Sequence, residues 1–294
     1  MLDRIKRINW MAIFYGLIWM VCLSGLFVLM SFIEVKKENT ICKDIKVIIP
    51  GSQVFIERAE INNILQGTSG PLIGTSMSSI NIHRLEAELK KNPFIEFAKV
   101  YADMNGVIKV QIKQREPLLR MLNLANQDFY IDRSGLKVPI SKAFTARVLV
   151  ANGNIYENFT GSVDTIKTGV ARDLFKTALF IDQDTLWRDQ IEQLFVNNKS
   201  EIELVPRVGN HKIILGNADS LQTKFKNLLV FYKKAMPKVG WDAYKTINIK
   251  YTNQVVCVKN VKDSTAIAEP VSVSKPLADS LQKPKISKDT VIKI

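Results

Sequence analysis

Residues 81–115 read NIHRLEAELKKNPFIEFAKVYADMNGVIKVQIKQR, and this stretch decides the fold of the first half of the chain. Its opening is a short helix. Asn81 is a suitable N-cap, because its side-chain oxygen accepts a hydrogen bond from the first helical turn. Ile82, Leu85 and Leu89 follow at spacings of three and four residues, as on one face of a helix. The stretch therefore predicts a helix with one buried face.

Two alternating segments follow this helix. Apolar residues take every second position, at Ala98, Val100 and Ala102 in the first segment and at Ile108, Val110 and Ile112 in the second. Alternation of this kind is typical of a strand with one buried face. Asn105-Gly106 stands between the segments and is a preferred tight-turn dipeptide. The second half of the stretch is therefore predicted to be an antiparallel hairpin.

Upstream of residue 81 the pattern adds one strand and one helix. Residues 44–49 form a brief strand that ends at Pro50-Gly51, and Ile61, Ile64 and Leu65 mark one face of a helix. The resulting order over residues 44–116 is β-α-α-β-β. A small sheet with both helices on one face satisfies this order. The sequence thus predicts an α+β fold.

The N-terminus carries an uncharged block from Ile8 to Ile33. A helix of about 20 apolar residues crosses the hydrocarbon layer of a membrane, so residues 10–33 are predicted to be a transmembrane helix. Residues 1–9 precede the helix and residues 34–43 connect it to the first domain. A cleaved signal peptide is disfavoured, because its apolar core would be shorter and would end at a small-residue cleavage site. A lipoprotein anchored at Cys22 is disfavoured because Trp19-Met20-Val21 offers no small residues before that cysteine.

The orientation of the helix follows from its flanking charges. Arg4, Lys6 and Arg7 precede it, and four lysines follow it between residues 36 and 46. The positive-inside bias applies to short segments and weakens for long translocated domains. The short basic N-terminus therefore favours a cytoplasmic N-terminus and extracytoplasmic C-terminal domains.

The second half of the chain, residues 117–260, is predicted to be a mixed β domain with packed helices. Helices are expected at 164–182 and at 218–236, the latter stopped by Pro237. Strands are expected at residues 118–122, 129–132, 147–150, 190–196, 201–205, 212–215, 246–251 and 254–258. Residues 261–294 are rich in Ser, Pro and Lys and are predicted to be a disordered tail.

The formal net charge of +13 comes from scattered rather than clustered basic residues, which favours a solvated surface over a nucleic-acid interface. Of the three cysteines, Cys22 lies in the apolar block. Cys42 and Cys257 leave two interpretations open, a disulfide or two separate strand thiols, and the second is favoured.

Residues suited to catalysis, metal binding or cofactor binding are sparse. His83 and His211 stand far apart without a neighbouring ligand motif and are predicted to be ordinary surface histidines. Gly67-Thr68-Ser69-Gly70 lacks the lysine of a phosphate-binding loop. A membrane-anchored Ser/Lys protease using Ser76 is the remaining enzymatic alternative, but no glycine-rich lysine segment follows it. We expect no catalytic site, no cofactor and no metal.

The last predicted strand, residues 254–258, contains Val255, Val256 and Val258 and precedes the tail. A terminal strand at a sheet edge offers unpaired N–H and C=O groups to which another chain adds a strand. Two interpretations remain open: an open edge that receives a partner, and an edge that the tail protects.

Two sets of motifs resemble those of the FtsQ/DivIB cell-division family. Leu85-x-x-x-Leu89-x-x-Asn92-Pro93-Phe94-Ile95-x-x-Ala98-x-Val100 and Val110-x-Ile112-x-x-Arg115-Glu116-Pro117 resemble its POTRA module. Phe129-Tyr130-Ile131-Asp132-Arg133-Ser134-Gly135 and Ile213-Ile214-Leu215-Gly216 resemble its β domain. The resemblance covers roughly residues 10 to 259.

The resemblance implies a non-catalytic scaffold of the divisome, the assembly that builds the septum, in the bacterial inner membrane with periplasmic domains. It implies FtsB/FtsL-like membrane proteins as partners, one of which adds a strand beside the last strand of the β domain, and other division proteins at the POTRA domain. The matching residues here are Lys250, Tyr251, Thr252, Asn253, Gln254, Val255, Val256, Cys257 and Val258. A different POTRA-bearing module of envelope protein assembly or secretion is the alternative.

Three features depart from the family pattern. Phe94 stands where a Trp or Tyr is usual, the last strand is rich in Val rather than in small residues, and the tail is rich in Pro and Lys. Bulkier side chains on the last strand affect the register and specificity of an added strand.

Overall fold

The computed structural model describes residues 10–38, 40–51, 55–141, 143–260 and 290–293. The chain divides into two compact units, Met1–Arg115 and Glu116–Ile294. Their border lies one residue before the end of the predicted first domain. The predicted N-terminal segment 1–9 lies outside the described residues.

The first element is a single long apolar helix, α1 (Trp10–Glu38). Its segment Ile13–Ser31 has the length and the composition needed to cross a membrane. Large apolar side chains along it, such as Phe14, Trp19 and Phe27, are exposed to the surroundings rather than packed in a core. The helix continues past residue 33, where the sequence predicted its end.

The remainder of the first unit has the predicted order β-α-α-β-β. Its elements are β1 (Asp44–Ile48), α2 (Arg58–Ser69), α3 (Ile82–Lys90), β2 (Ile95–Ala102) and β3 (Val107–Gln114). The strands form a three-stranded sheet of order β1-β3-β2, in which β1 runs parallel and β2 antiparallel to β3. Apolar residues of both helices and of the sheet share one core. The predicted α+β class is confirmed.

Local signals explain two boundaries in this unit. The Asn81 side chain accepts a 3.0 Å hydrogen bond from the backbone N–H of Arg84, which caps α3 as predicted. At the hairpin turn, Gly106 has φ +84°, and a Cβ atom there would lie 2.3 Å from the carbonyl oxygen of Ile41. Only glycine fits this close approach.

The second unit contains eleven strands and four helices among the described residues. They are β4 (Pro117–Leu122), β5 (Asp128–Asp132), β6 (Leu136–Pro139), β7 (Leu149–Gly153), β8 (Asp164–Thr165), α4 (Gly169–Gln183), α5 (Thr185–Gln190), β9 (Ile191–Val196), β10 (Ile202–Pro206), β11 (Lys212–Gly216), α6 (Leu221–Lys234), α7 (Met236–Val239), β12 (Tyr244–Asn248), β13 (Gln254–Lys259) and β14 (Thr290–Lys293).

All eleven strands belong to one sheet of order β14-β13-β12-β11-β10-β9-β7-β4-β5-β6-β8. Helices α4 and α6 contribute Leu174, Ala178, Phe225 and Leu228 to the same core as the sheet. The order of strands does not follow the chain, because β7 lies between β4 and β9 and pairs in parallel with both. The predicted β domain is therefore one continuous, mixed sheet.

Several predicted boundaries in this unit are wrong. The helix predicted from residue 164 begins at Gly169, because Asp164 and Thr165 pair with β6 and Thr168 caps the helix. Pro237 does not stop α6, which already ends at Lys234. It lies instead in the first turn of α7, a position where proline's missing N–H costs no hydrogen bond.

A buried ion pair fixes the start of α4. Lys137 is fully buried, and its Nζ donates hydrogen bonds of 2.8 Å to the Glu157 carboxylate and to the Asn158 carbonyl. The Glu157 carboxylate also accepts hydrogen bonds from the backbone N–H groups of Lys167 and Thr168 and from the Thr168 hydroxyl. A charge that is paired and fully hydrogen-bonded is the form in which a protein interior tolerates a charge.

The predicted disordered tail, residues 261–294, falls largely outside the described residues, but its last segment forms strand β14. β14 pairs antiparallel with β13. Thr290, Val291 and Ile292 are β-branched, which favours a strand, and the outer main chain of β13 needs hydrogen-bond partners. Of the two interpretations left open for the β13 edge, the structure therefore adopts the edge covered by the tail.

Candidate functional site

The residues singled out for partner binding form the hairpin at one side of the large sheet. Strands β12 and β13 pair antiparallel, with Ile247 opposite Cys257 and Asn248 opposite Val256. On its other side β12 pairs in parallel with β11. A hydrogen bond of 2.9 Å from the Asn260 N–H to the Ala243 carbonyl extends the link between the two chain segments beyond β13. The inner edge of β13 is thus firmly bound to the sheet.

The turn between the two strands begins earlier than predicted. β12 ends at Asn248 and not at Tyr251, because the Asn248 side chain accepts a 3.0 Å hydrogen bond from the Lys250 N–H and so starts a turn. Lys250 and Tyr251, predicted to end a strand, therefore lie in the turn together with Thr252 and Asn253.

Two neighbours outside the hairpin hold this turn in place. The Nζ of Lys250 donates a 2.9 Å hydrogen bond to the carboxylate of Glu201, next to β10. The pKa of Glu201 is lowered by this hydrogen bond, and the pKa of Lys250 is raised by it. The side-chain amide of Asn227 on α6 donates a 2.8 Å hydrogen bond to the Thr252 carbonyl. The backbone of the turn is therefore positioned from two directions.

The side chains of β13 divide between the core and the surface. Val255 and Cys257 are buried in the core, whereas Gln254 and Val256 are half-buried and Val258 is exposed. Burial raises the pKa of the Cys257 thiol to about 12, so this thiol stays protonated at neutral pH. Tyr251, Thr252 and Asn253 are exposed in the turn. The side chains available for recognition are therefore those of the exposed turn and of Val258.

The outer edge of β13 carries the C-terminal strand of the chain. Gln254, Val255, Val256 and Cys257 are opposite Lys293, Ile292, Val291 and Thr290, respectively. This pairing covers four of the six residues of β13. The site therefore consists of the outer edge of β13 and of β14, the strand of the same chain that covers it.

The other candidate residues lie elsewhere and separately. His83 is exposed on α3, as predicted. His211 is buried and not at the surface, and its Nε2 lies 2.8 Å from the Tyr232 hydroxyl. Burial lowers the pKa of His211, so it serves as a neutral core residue.

Ser76 forms an isolated β-bridge with Ile41, and its Oγ lies 2.9 Å from Ser78 Oγ. Cys42 and Cys257 are free and buried. Over the part of the chain that the structure describes, no three His, Cys, Asp or Glu side chains come together as metal ligands would.

Sequence reasoning missed three contributors to the site, namely Glu201, Asn227 and β14. Glu201 and Asn227 contact the turn only because the fold brings them close to it, and no sequence pattern around either residue indicates this contact. β14 does have a sequence signal for a strand, since Thr290-Val291-Ile292 is a β-branched run that follows a polar segment.

Two family models match the chain, one for each unit. Residues 40–113 match the POTRA-like domain, and residues 116–258 match the model described as FtsQ/DivIB, C-terminal related. Together, the two matches are those of an FtsQ/DivIB family protein. The second match ends at Val258, within β13, so that it includes the whole β12–β13 turn. No curated protein matches the sequence.

The two matches agree with the architecture around the site. The family is one of non-catalytic division scaffolds, and a POTRA-like domain followed by a large β-sheet domain is its arrangement here. Among the described residues, α1 near the N-terminus is the one helix that is long and apolar enough to cross a membrane. Cell division is therefore the process in which this chain fits.

Proposed function

We propose that this chain is a non-catalytic scaffold of the divisome that links septal division proteins through extracytoplasmic protein–protein interactions. The match of residues 116–258 to the FtsQ/DivIB model is the observation that carries the proposal. The site adds support of a physical kind, because Tyr251, Thr252 and Asn253 in its turn and Val258 in its strand expose side chains that a partner could contact.

In this proposal α1 anchors the chain in the bacterial inner membrane, with residues 1–9 in the cytoplasm and both folded units in the periplasm. The apolar segment Ile13–Ser31 supports the single crossing. The basic residues Arg4, Lys6 and Arg7 before it support the orientation. The first unit is then near the membrane, where it contacts other division proteins.

The proposed partner is an FtsB/FtsL-like membrane protein that binds at residues 250–258 and adds a strand to the outer edge of β13. Main-chain hydrogen bonds would supply affinity, and alternate side chains would supply specificity. Val258, which is 41% exposed in β13, and Tyr251, which is 45% exposed in the turn before it, offer apolar contacts. The anchored turn supports this role, because a rigid edge loses less entropy when a partner orders on it.

Two comparisons test the proposal in the bacterium that makes the chain. Depletion should give long filaments that fail to divide. Cys257→Pro removes a backbone N–H of β13 that points away from β12 and should weaken co-purification of the FtsB/FtsL-like proteins at least tenfold, whereas Cys257→Ala keeps this N–H and should bind normally. Thermal unfolding of both variants checks that the fold persists. Normal partner capture by a folded Cys257→Pro chain would reject this site.

A second candidate function is a membrane-anchored POTRA module of envelope protein assembly or secretion. The match of residues 40–113 to the POTRA-like model favours it, because that description is not tied to division. Depletion distinguishes the two functions, since a defect in envelope proteins with normal division would support the second candidate and contradict the first.

A further inference from the structure

The strand that covers β13 comes from the same chain. β14 runs antiparallel to β13 over four register pairs, from Cys257 with Thr290 to Gln254 with Lys293. An antiparallel strand at this place is the kind of ligand that a sheet edge accepts in strand addition. β14 therefore occupies the main-chain groups that the proposed partner would use.

Two features make this pairing easy to open. β14 has only four residues, so it contributes few ladder hydrogen bonds. The connection from Asn260 to Thr290 contains 29 residues, 261–289, whereas ordinary hairpin loops contain 2–5 residues. The entropy lost on closing a loop grows with its length, so a long connection stabilises the pair less than a tight turn would. The β13–β14 pair is consequently weaker than the β12–β13 pair, whose connection is the short anchored turn.

β14 also covers only part of β13. Among the described residues, Val258 and Lys259 lie in β13 beyond the four register pairs with β14. A partner strand of six or more residues would pair with the whole of β13 and gain contacts that β14 does not make. The exposed side chain of Val258 would then contact a side chain of the added strand.

We propose that β14 is an internal competitor that masks the β13 edge, and that a partner binds by displacing it with a longer antiparallel strand. The statement that a partner displaces β14 rests on the proposed function. A tethered segment acts at an effective concentration of the order of millimolar, so it covers the edge until a better strand arrives. Apparent affinity falls in proportion to the fraction of chains whose edge is free. If about one edge in ten is free, masking weakens partner binding about tenfold.

The masking itself is tested on the full chain in detergent micelles, without any partner. The double variant Val291→Pro/Ile292→Pro prevents β14 from pairing, and the swap Val291→Ile/Ile292→Val keeps both β-branched shapes as the matched control. In the proline variant, the β13 amides that point away from β12 should exchange hydrogen with solvent at least tenfold faster. The swap should leave exchange unchanged. Equal exchange in the native chain and the proline variant would overturn the inference.

Displacement is tested with the purified FtsB/FtsL-like proteins of the same bacterium and the same three chains. The proline variant should bind them about tenfold or more tightly than the native chain, and the swap should bind like the native chain. Equal affinity for all three would contradict competition even if exchange shows that β14 pairs. Failure of all three chains to bind would refute the proposed partner role and displacement with it, while the exchange result would still decide whether β14 masks the edge.

Discussion

Replacing Lys137 with Met should lower the free energy of unfolding of the second unit by about 3 kcal/mol or more. The substitution keeps an apolar chain of similar length but removes the ammonium group, which is buried with its partner: each side chain is 1% exposed. Glu157 would keep its hydrogen bonds from Lys167 and Thr168, but its charge would lose the nearest cation. Removing one partner of a buried pair typically costs about 3–5 kcal/mol, and these remaining hydrogen bonds place the expected value at the lower end.

A matched control is available in the same cluster. Lys167 also pairs with a carboxylate, at 2.7 Å from Asp164, but its side chain is 65% exposed. Exposed pairs contribute about 0–1 kcal/mol, so Lys167→Met should change stability little. The double variant Lys137→Met/Glu157→Gln should recover part of the loss, because a neutral amide is less costly to bury than an unpaired carboxylate.

The assay is urea unfolding followed by the fluorescence of Trp187 and Trp241, which belong to this unit, with thermal unfolding as a second measurement. A loss of about 3 kcal/mol corresponds to a midpoint lower by roughly 6–12 °C for a unit of this size. The reasoning is refuted if Lys137→Met and Lys167→Met lose the same amount, since burial would then not determine the cost.

Three further predictions follow from individual contacts. Burial raises the pKa of Glu157, but hydrogen bonds from Lys137 and Thr168 outweigh burial and leave this pKa below the ordinary value. The stability that the ionised carboxylate contributes is therefore present above the unfolded pKa of about 4.3 and is lost as pH falls through the folded pKa. The free energy of unfolding of Glu157→Gln should consequently depend less on pH between pH 5 and 3 than that of the native chain. Asn81→Ala should cost about 1 kcal/mol in the first unit, measured by chemical denaturation, with Asn81→Ser as the control that keeps a cap. Cys257, buried with its pKa raised to about 12, should resist a maleimide reagent in the native chain and react after unfolding, as followed by mass spectrometry.

The first unit was predictable from sequence because its signals are local. The Asn81 cap, the Leu85 and Leu89 spacing, and the Asn105-Gly106 turn each act within a few residues, and each stands where the sequence placed it. The order β-α-α-β-β follows from adding these local elements in sequence.

The second unit was less predictable because its determinants are distant in sequence. β7 pairs with β4 and β9 in parallel, so its partners are set by the topology and not by a turn. His211 is in the core because it lies near Tyr232, 21 residues away. The edge of β13 is covered by residues more than 30 positions later, and no periodicity links the two segments.

The two margins of the large sheet have a consequence for solubility. On one side the sheet ends at β8, which has two residues, and on the other at β14, which has four. Very short outer strands present few free main-chain groups, and this is one way in which natural sheets avoid joining edge to edge. The short outer strands therefore disfavour aggregation through the sheet edges, and displacement of β14 would remove this protection at β13.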